Sequence, residues 1–201
     1  VTDAQGQVIS DSIATGNAEA TPSPFSPLVL QALEKQQAIA GTLAMNLDQL
    51  RDENPSMVNR VDTAVGNSAE TADLSARREK TVLTVGAAVP IIIEGRMAGV
   101  VYGGYLLNGD TTVVDKIGAT VFKNEIYRGR NVGTATIFCN DLRIATNVMD
   151  RSGNRALGTR ASPQVTRHVL GKGEKWTDRA RVLNDRYITA YEPIIDIFGK
   201  R

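Results

Sequence analysis

The sequence predicts an α+β fold of two small modules, each an antiparallel sheet flanked by helices. Three observations lead there. Apolar and β-branched runs come in pairs around short polar or glycine turns, which is hairpin patterning. Serine–proline steps open helical patterns in both halves, at Ser26-Pro27 and Ser162-Pro163, because serine caps a helix well and proline suits its first turn. Both halves then close alike. VGAAVPIIIEGRMAG (85–99) and ITAYEPIIDIFGKR (188–201) each step through a proline into a glycine turn beside a basic residue. Short antiparallel strands with helices on one face make an α+β fold.

The elements follow in chain order. VTDAQGQVISDS (1–12) reads as a hairpin with Gly6 in its turn, and residues 13–24 as loop by composition. The apolar spacing of LVLQALEKQQAIAGTLA (28–44) suits an amphipathic helix. A second helical or irregular piece follows at 54–66, then a polar stretch at 67–79. TVLTVGAAVPIII (81–93) and MAGVVYGGYLL (97–107) form a second hairpin around EGR, with well-buried strands. Pro90 belongs at an edge or a bulge, because it cannot donate a ladder hydrogen bond. Asp110 can cap a helix through 111–122.

The second half starts after YRGRNVG. GTATIFCNDLRIATNV (133–148) is a hairpin around Asn140-Asp141, and a loop with Gly153 and Gly158 follows. PQVTRHVL (163–170) is a helix ended by Gly171, and residues 175–196 give two strands around Asn184-Asp185. A third strand is expected to begin at Lys200. The halves thus share an order: hairpin, loop, Ser-Pro helix, strand into a proline, glycine turn. Aligning Pro90 with Pro193 leaves Gly95 and Gly199 one residue out of register, so the repeat is one of architecture. The expected division is a first module over 1–109, a connecting helix and linker over 110–131, and a second module over 132–201.

Composition narrows the function. The 23 Lys and Arg balance 22 Asp and Glu for a net charge of +1, and no basic stripe argues for nucleic acid. One cysteine, Cys139, excludes an internal disulfide and a cysteine metal cluster. It sits in apolar TIFCN, where a buried inert thiol is the plain reading. One histidine, His168, makes neither a metal site nor a convincing Ser-His-Asp set. There is no phosphate loop, G-x-S-x-G turn or calcium loop. No run of about twenty apolar residues occurs and no signal peptide opens the chain. The chain opens inside a strand-like stretch and stops where the earlier copy continues, which suggests a domain cut from a membrane protein.

TATIF, RIATNV after a short turn, RALGT, the W-x-x-RA-x-V strand and the Y-x-x-AYEPI-x-D-x-x-G hairpin together resemble the Cache superfamily. The resemblance is to the Cache-3/Cache-2 type of the extracytoplasmic regions of bacterial sensor histidine kinases and methyl-accepting chemotaxis proteins. LLNGDTTVVDKI (106–117) matches the lead-in segment of that type. The likeness is strong over about 106–201 and weaker before it. It implies a PAS-like antiparallel sheet in each module, a ligand pocket over the sheet, no catalysis and no cofactor. It also implies a membrane-derived helix before the first module, a last strand running on toward a second membrane span, and a homodimeric receptor.

Such a pocket needs a few fixed polar groups in an apolar concavity. A carboxylate suits a guanidinium, which pairs with it in a planar, two-pronged way. The second half holds this set: Arg143, Trp176, Arg179, Arg181, Tyr187 and Tyr191. Tyr187, Thr189 and Tyr191 alternate and share a strand face. The first half offers mainly Tyr102 and Tyr105. Plainer readings stand beside these: Tyr191 as core, Trp176 as packing, Arg179 and Arg181 as surface partners of Asp178 or Asp185. In this family type the membrane-distal module often holds the ligand, which here is the first. The residue types favour the second.

The function expected is an extracytoplasmic, periplasmic part of an inner-membrane receptor. It would bind a small solute, an organic acid being favoured, and signal to a cytoplasmic kinase or chemotaxis module. Ligand-binding candidates are Arg143, Trp176, Arg179, Tyr187 and Tyr191. No catalytic or metal-ligating residue is expected, and the membrane is reached only through flanking helices. The other reading is a structural or dimerisation module without a ligand.

Overall fold

A computed structural model describes residues 1–9, 25–66, 81–183 and 185–201. The loop expected at 13–24, the polar stretch expected at 67–79 and Asn184 lie outside these, as does the side chain of Arg181. The architecture is α+β, with every described strand pair antiparallel. The chain divides into two compact units, one ending at Leu106 and one built mainly from Leu107–Arg201.

The first unit is a four-stranded sheet in the order β1-β4-β3-β2 with a helix against one face. Its strands are β1 (Thr2–Asp3), β2 (Ile39–Asn46), β3 (Thr81–Ile93) and β4 (Arg96–Leu106). The β3–β4 turn is made by Glu94 and Gly95, both at positive φ (49° and 75°), as a two-residue hairpin in a right-twisted sheet demands. β2 begins opposite Ala88, so Pro90 lies beyond the last rung on that side, next to a register shift at Ile91/Ile92. The hairpin expected at the start is present over residues 1–9: Thr2 and Val8 bridge antiparallel, Asp3 N–H donates to Gln7 O and Ile9 N–H to Val1 O, with Gly6 in the turn at φ 82°.

Helix α1 (Ser26–Lys35) has its proline in the first turn and stops at Gln36, which takes φ 51°. The helix expected over 28–44 is therefore wrong in its second half: Ile39–Asn46 is a strand. Helical spacing lost to sheet burial, since β2 pairs along β3 and places Leu43 and Met45 in the core, 2 % and 4 % exposed. Two helices follow. α2 (Leu47–Glu53) was not anticipated and begins with a reciprocal cap between Asn46 and Gln49. α3 spans Pro55–Gly66.

The core of the first unit depends on two glycines. Leu28 and the Phe25 ring lie on Gly86, where an added Cβ would come within 2.6 Å of Leu28, and the Phe25 ring also presses on Gly104. Alternation then decides the two faces. Thr84, Gly86 and Ala88 face the core, while Val85, Ala87 and Val89 are exposed.

The second unit is built around β8. Helix α4 (Thr112–Val121) starts where the Asp110 carboxylate accepts the Thr112 N–H at 2.8 Å. A small hairpin, β5 (Ile126–Tyr127) and β6 (Arg130–Asn131), turns on Arg128 and Gly129, both at positive φ. β7 (Thr136–Cys139) and β8 (Leu142–Thr146) follow, joined through Asn140 at φ 52°. β8 is buried along its whole length. Its other edge is occupied by the next loop: Arg143 N–H donates to Thr159 O, Gly158 N–H to Arg143 O, and Ala161 N–H to Asp141 O.

Ser162 caps α5 (Pro163–Thr166) and accepts from the Val165 N–H. The helix then widens to a π-helix over Arg167–Lys172 and ends at Gly173, φ 76°, rather than at Gly171 as expected. β9 (Trp176–Val182) and β10 (Asp185–Tyr191) form the last hairpin. Beyond it Asp196 holds a tight turn, accepting from the Phe198 and Lys200 N–H groups, with Gly199 at φ 74°. Cys139 is buried, 5 % exposed.

Candidate functional site

The hairpin turn at Asn140 sets the site. It pairs Cys139 with Leu142 and Phe138 with Arg143, so the ring and the guanidinium stand on one face of the ladder. The guanidinium carbon lies 5.4 Å from the Phe138 ring centre, within reach of a cation–π attraction. Arg143 is only 5 % exposed. Its Nε and Nη1 are buried without a hydrogen-bond partner among the described residues.

The second hairpin brings the other walls. β9 and β10 pair Trp176 with Tyr191, whose rings meet edge to face at 5.7 Å. Tyr191 also meets Phe138, with centroids 6.0 Å apart. The rings thus form a continuous line, Phe138–Tyr191–Trp176, with Arg143 at one end. Burial holds the Arg143 guanidinium below its ordinary range, and the neighbouring Tyr191 opposes this. Burial pushes the Tyr191 hydroxyl up, and Arg143 opposes that in turn. A cation kept in an apolar setting with idle donors is costly unless something pairs with it.

Arg143, Trp176 and Tyr191 therefore lie together. Tyr187 shares their strand face but packs against the small core of Val148, Ala156 and Val182. Arg179 stands apart: it pairs with Ile188, on the opposite face of the hairpin from Trp176 and Tyr191. Phe138 was not among the expected residues, although counting back from the Asn140-Asp141 turn places it opposite Arg143.

The surroundings of β8 are held firmly. Arg155 grips Asp115 on α4 with two bonds, Nη1 to Oδ1 at 2.8 Å and Nη2 to Oδ2 at 2.9 Å, and Nη1 also reaches Thr146 O at 2.7 Å. Asn147 donates to Val114 O at 3.2 Å and accepts from Ala135 N–H at 2.7 Å. The strand carrying Arg143 is thus tied to α4 a few residues further on. Among the described residues no three His, Cys, Asp or Glu side chains gather where a metal could sit. His168 pairs with Glu174 at 3.1 Å, not with a nucleophile.

Residues 105–201 match the family described as Single cache domain 3. The match supports a Cache superfamily sensor domain over this part of the chain. Cache domains are extracellular sensor domains of signalling receptors and are generally without enzymatic activity. The match covers the whole of α4, the β7–β8 hairpin and the β9–β10 hairpin, so Arg143 and its three aromatic neighbours all lie in the Cache segment. No curated protein and no solved structure matches the chain. Among the described residues no helix is long and apolar enough to cross a membrane.

Proposed function

We propose that this chain is the extracytoplasmic ligand-sensing part of a transmembrane bacterial signal-transduction receptor. It binds a small anionic solute, an organic acid, at Arg143. The observation that carries this is the state of Arg143: a buried guanidinium against an aromatic wall, with two donors free among the described residues. Phe138, Tyr191 and Trp176 would enclose the body of the ligand, and Arg143 would take its carboxylate. Arg179 and Tyr187 stand outside this set.

Signalling follows as a shift of population. A ligand that pairs with Arg143 favours the arrangement of β8 in which those donors point at it. Asn147, the residue after β8, donates to Val114 O of α4, and Arg155 links Thr146 O of β8 to Asp115 of α4, so a change at Arg143 has a path to a helix. In the whole receptor, a periplasmic homodimer anchored in the inner membrane would pass this on to a kinase or a chemotaxis module. The first unit, an antiparallel sheet with a helix on one face, supports reading it as a further Cache-like module, distal to the membrane.

One observation favours the second reading, a structural or dimerisation role. The first unit exposes Val85, Val89, Val101 and Tyr105 on one sheet face, each 41–45 % exposed. The two readings separate in a thermal-shift screen of small carboxylates, amino acids and amines, run on the parent and on Arg143→Ala. A compound that raises the melting temperature of the parent alone supports the sensor. A compound that raises both equally moves binding away from Arg143. No stabilisation by any compound leaves the structural role.

A further inference from the structure

We propose that the ligand is a small monocarboxylate with an uncharged body, and neither a second acid nor an ammonium group. This rests on reading Arg143 as the ligand anchor.

A charge inventory of the described residues carries it. A buried cation calls for one compensating anion, and Arg143 has none of its own. A second carboxylate on the ligand would need a second waiting cation. Among the described residues, Arg179 and Arg186 stand on the face of the β9–β10 hairpin opposite Trp176 and Tyr191, and three further cations are already in ion pairs. Arg155 is bound to Asp115, Arg160 to Asp141 and Lys175 to Glu192.

The same pairs occupy the carboxylates that an ammonium group would seek. Asp150 and Asp178 are used as well: Asp150 Oδ1 accepts the Ser152 and Asn154 N–H groups, and Asp178 Oδ1 accepts the Arg179 N–H. An ammonium could otherwise sit on an aromatic face. Here Arg143 already occupies the Phe138 ring, and a second cation a few ångströms away would be repelled. The remaining wall is the Trp176–Tyr191 edge-to-face pair, which suits a short aliphatic or aromatic body.

Trp176 is the one tryptophan of the chain, so its emission reports on the site directly. The experiment titrates the parent with propionate, benzoate, malonate, alanine and propionamide, following Trp176 fluorescence. Calorimetry on the same samples detects binding that leaves emission unchanged. Arg143→Gln and Arg143→Met are run alongside, each with a circular dichroism spectrum to show that it folds. Propionate or benzoate should bind at least about 10-fold more tightly than malonate, alanine or propionamide. Both variants should lose at least about 30-fold in affinity, the lower range for removing one partner of a buried charge pair. Malonate or alanine binding more tightly, and depending on Arg143, would overturn the monocarboxylate assignment while the anchor stands. Carboxylate binding that the variants leave intact, or no anion binding at all, would overturn both.

Discussion

Arg143 and Phe138 face each other across the β7–β8 ladder, guanidinium to ring at 5.4 Å, and the charge has no carboxylate partner among the described residues. A stability-driven design would not leave a buried cation in that state. Replacing it with an apolar side chain of similar length should therefore not harm the fold. Arg143→Met is expected to leave the ligand-free stability unchanged or to raise it by about 1 kcal/mol, while abolishing carboxylate-induced stabilisation. Chemical denaturation of both proteins with and without propionate checks this. A loss of more than about 2 kcal/mol in the ligand-free variant would make Arg143 a structural residue.

Two adjacent glycines in β4 predict opposite outcomes. A Cβ at Gly104 would run into the Phe25 ring, whereas one at Gly103 meets nothing within 4 Å. Gly104→Ala should destabilise the first unit by about 1–3 kcal/mol through overpacking. Gly103→Ala should be neutral or stabilising by up to about 1 kcal/mol, since glycine in a strand interior is unfavourable. Equal effects in urea denaturation would contradict the packing of Phe25 on β4.

The grip of Arg155 on Asp115 is two-pronged and only partly exposed, 29 % and 44 % for the two side chains. Asp115→Asn should cost about 1 kcal/mol, and less in high salt. Arg155→Lys should not substitute for arginine, because a point charge cannot make two parallel bonds and also reach Thr146 O. Full stability in Arg155→Lys would show that the planar geometry is unimportant.

The pH dependence has a definite sign. Burial raises the Tyr191 hydroxyl above its ordinary 10.0, so the folded chain keeps a proton that the unfolded chain releases. This contribution is fully present below pH 10.0 and is lost as pH rises through the folded value. Arg143 has the opposite shift. Its charged form is disfavoured by burial, and that penalty eases only as pH climbs past its lowered value. Tyr191→Phe removes the first effect alone, so the parent should lose stability relative to it above about pH 10. A constant difference across that range would contradict the burial of Tyr191.

The hairpins were legible wherever turn chemistry was local. Gly95 and Asn140 take the left-handed conformations that their residue types tolerate, and register follows from them. The strand β2 was not legible, because Ala40, Leu43 and Ala44 also fit a helical period and only pairing with β3 decides between the two. The Asn46–Gln49 cap was present in the sequence but is a short signal, and it became a helix start only once β2 ended there. For the candidate site, Arg143 stood out as a guanidinium suited to a carboxylate, and Tyr191 through its alternation with Tyr187 and Thr189 on one strand face. Arg179 could have been separated from them by alternation alone, since odd residues of β9 oppose even residues of β10. The contact between the two hairpins, which joins Tyr191 to Phe138, is tertiary and has no local trace.

The most direct measurement is a crystal structure of the chain grown with a bound short-chain carboxylate. The account predicts the carboxylate within hydrogen-bond distance of Arg143 Nε or Nη1, with the ligand body against Tyr191 and Trp176. A ligand bound in the first unit, with the Arg143 donors satisfied by protein groups or by water, would contradict it.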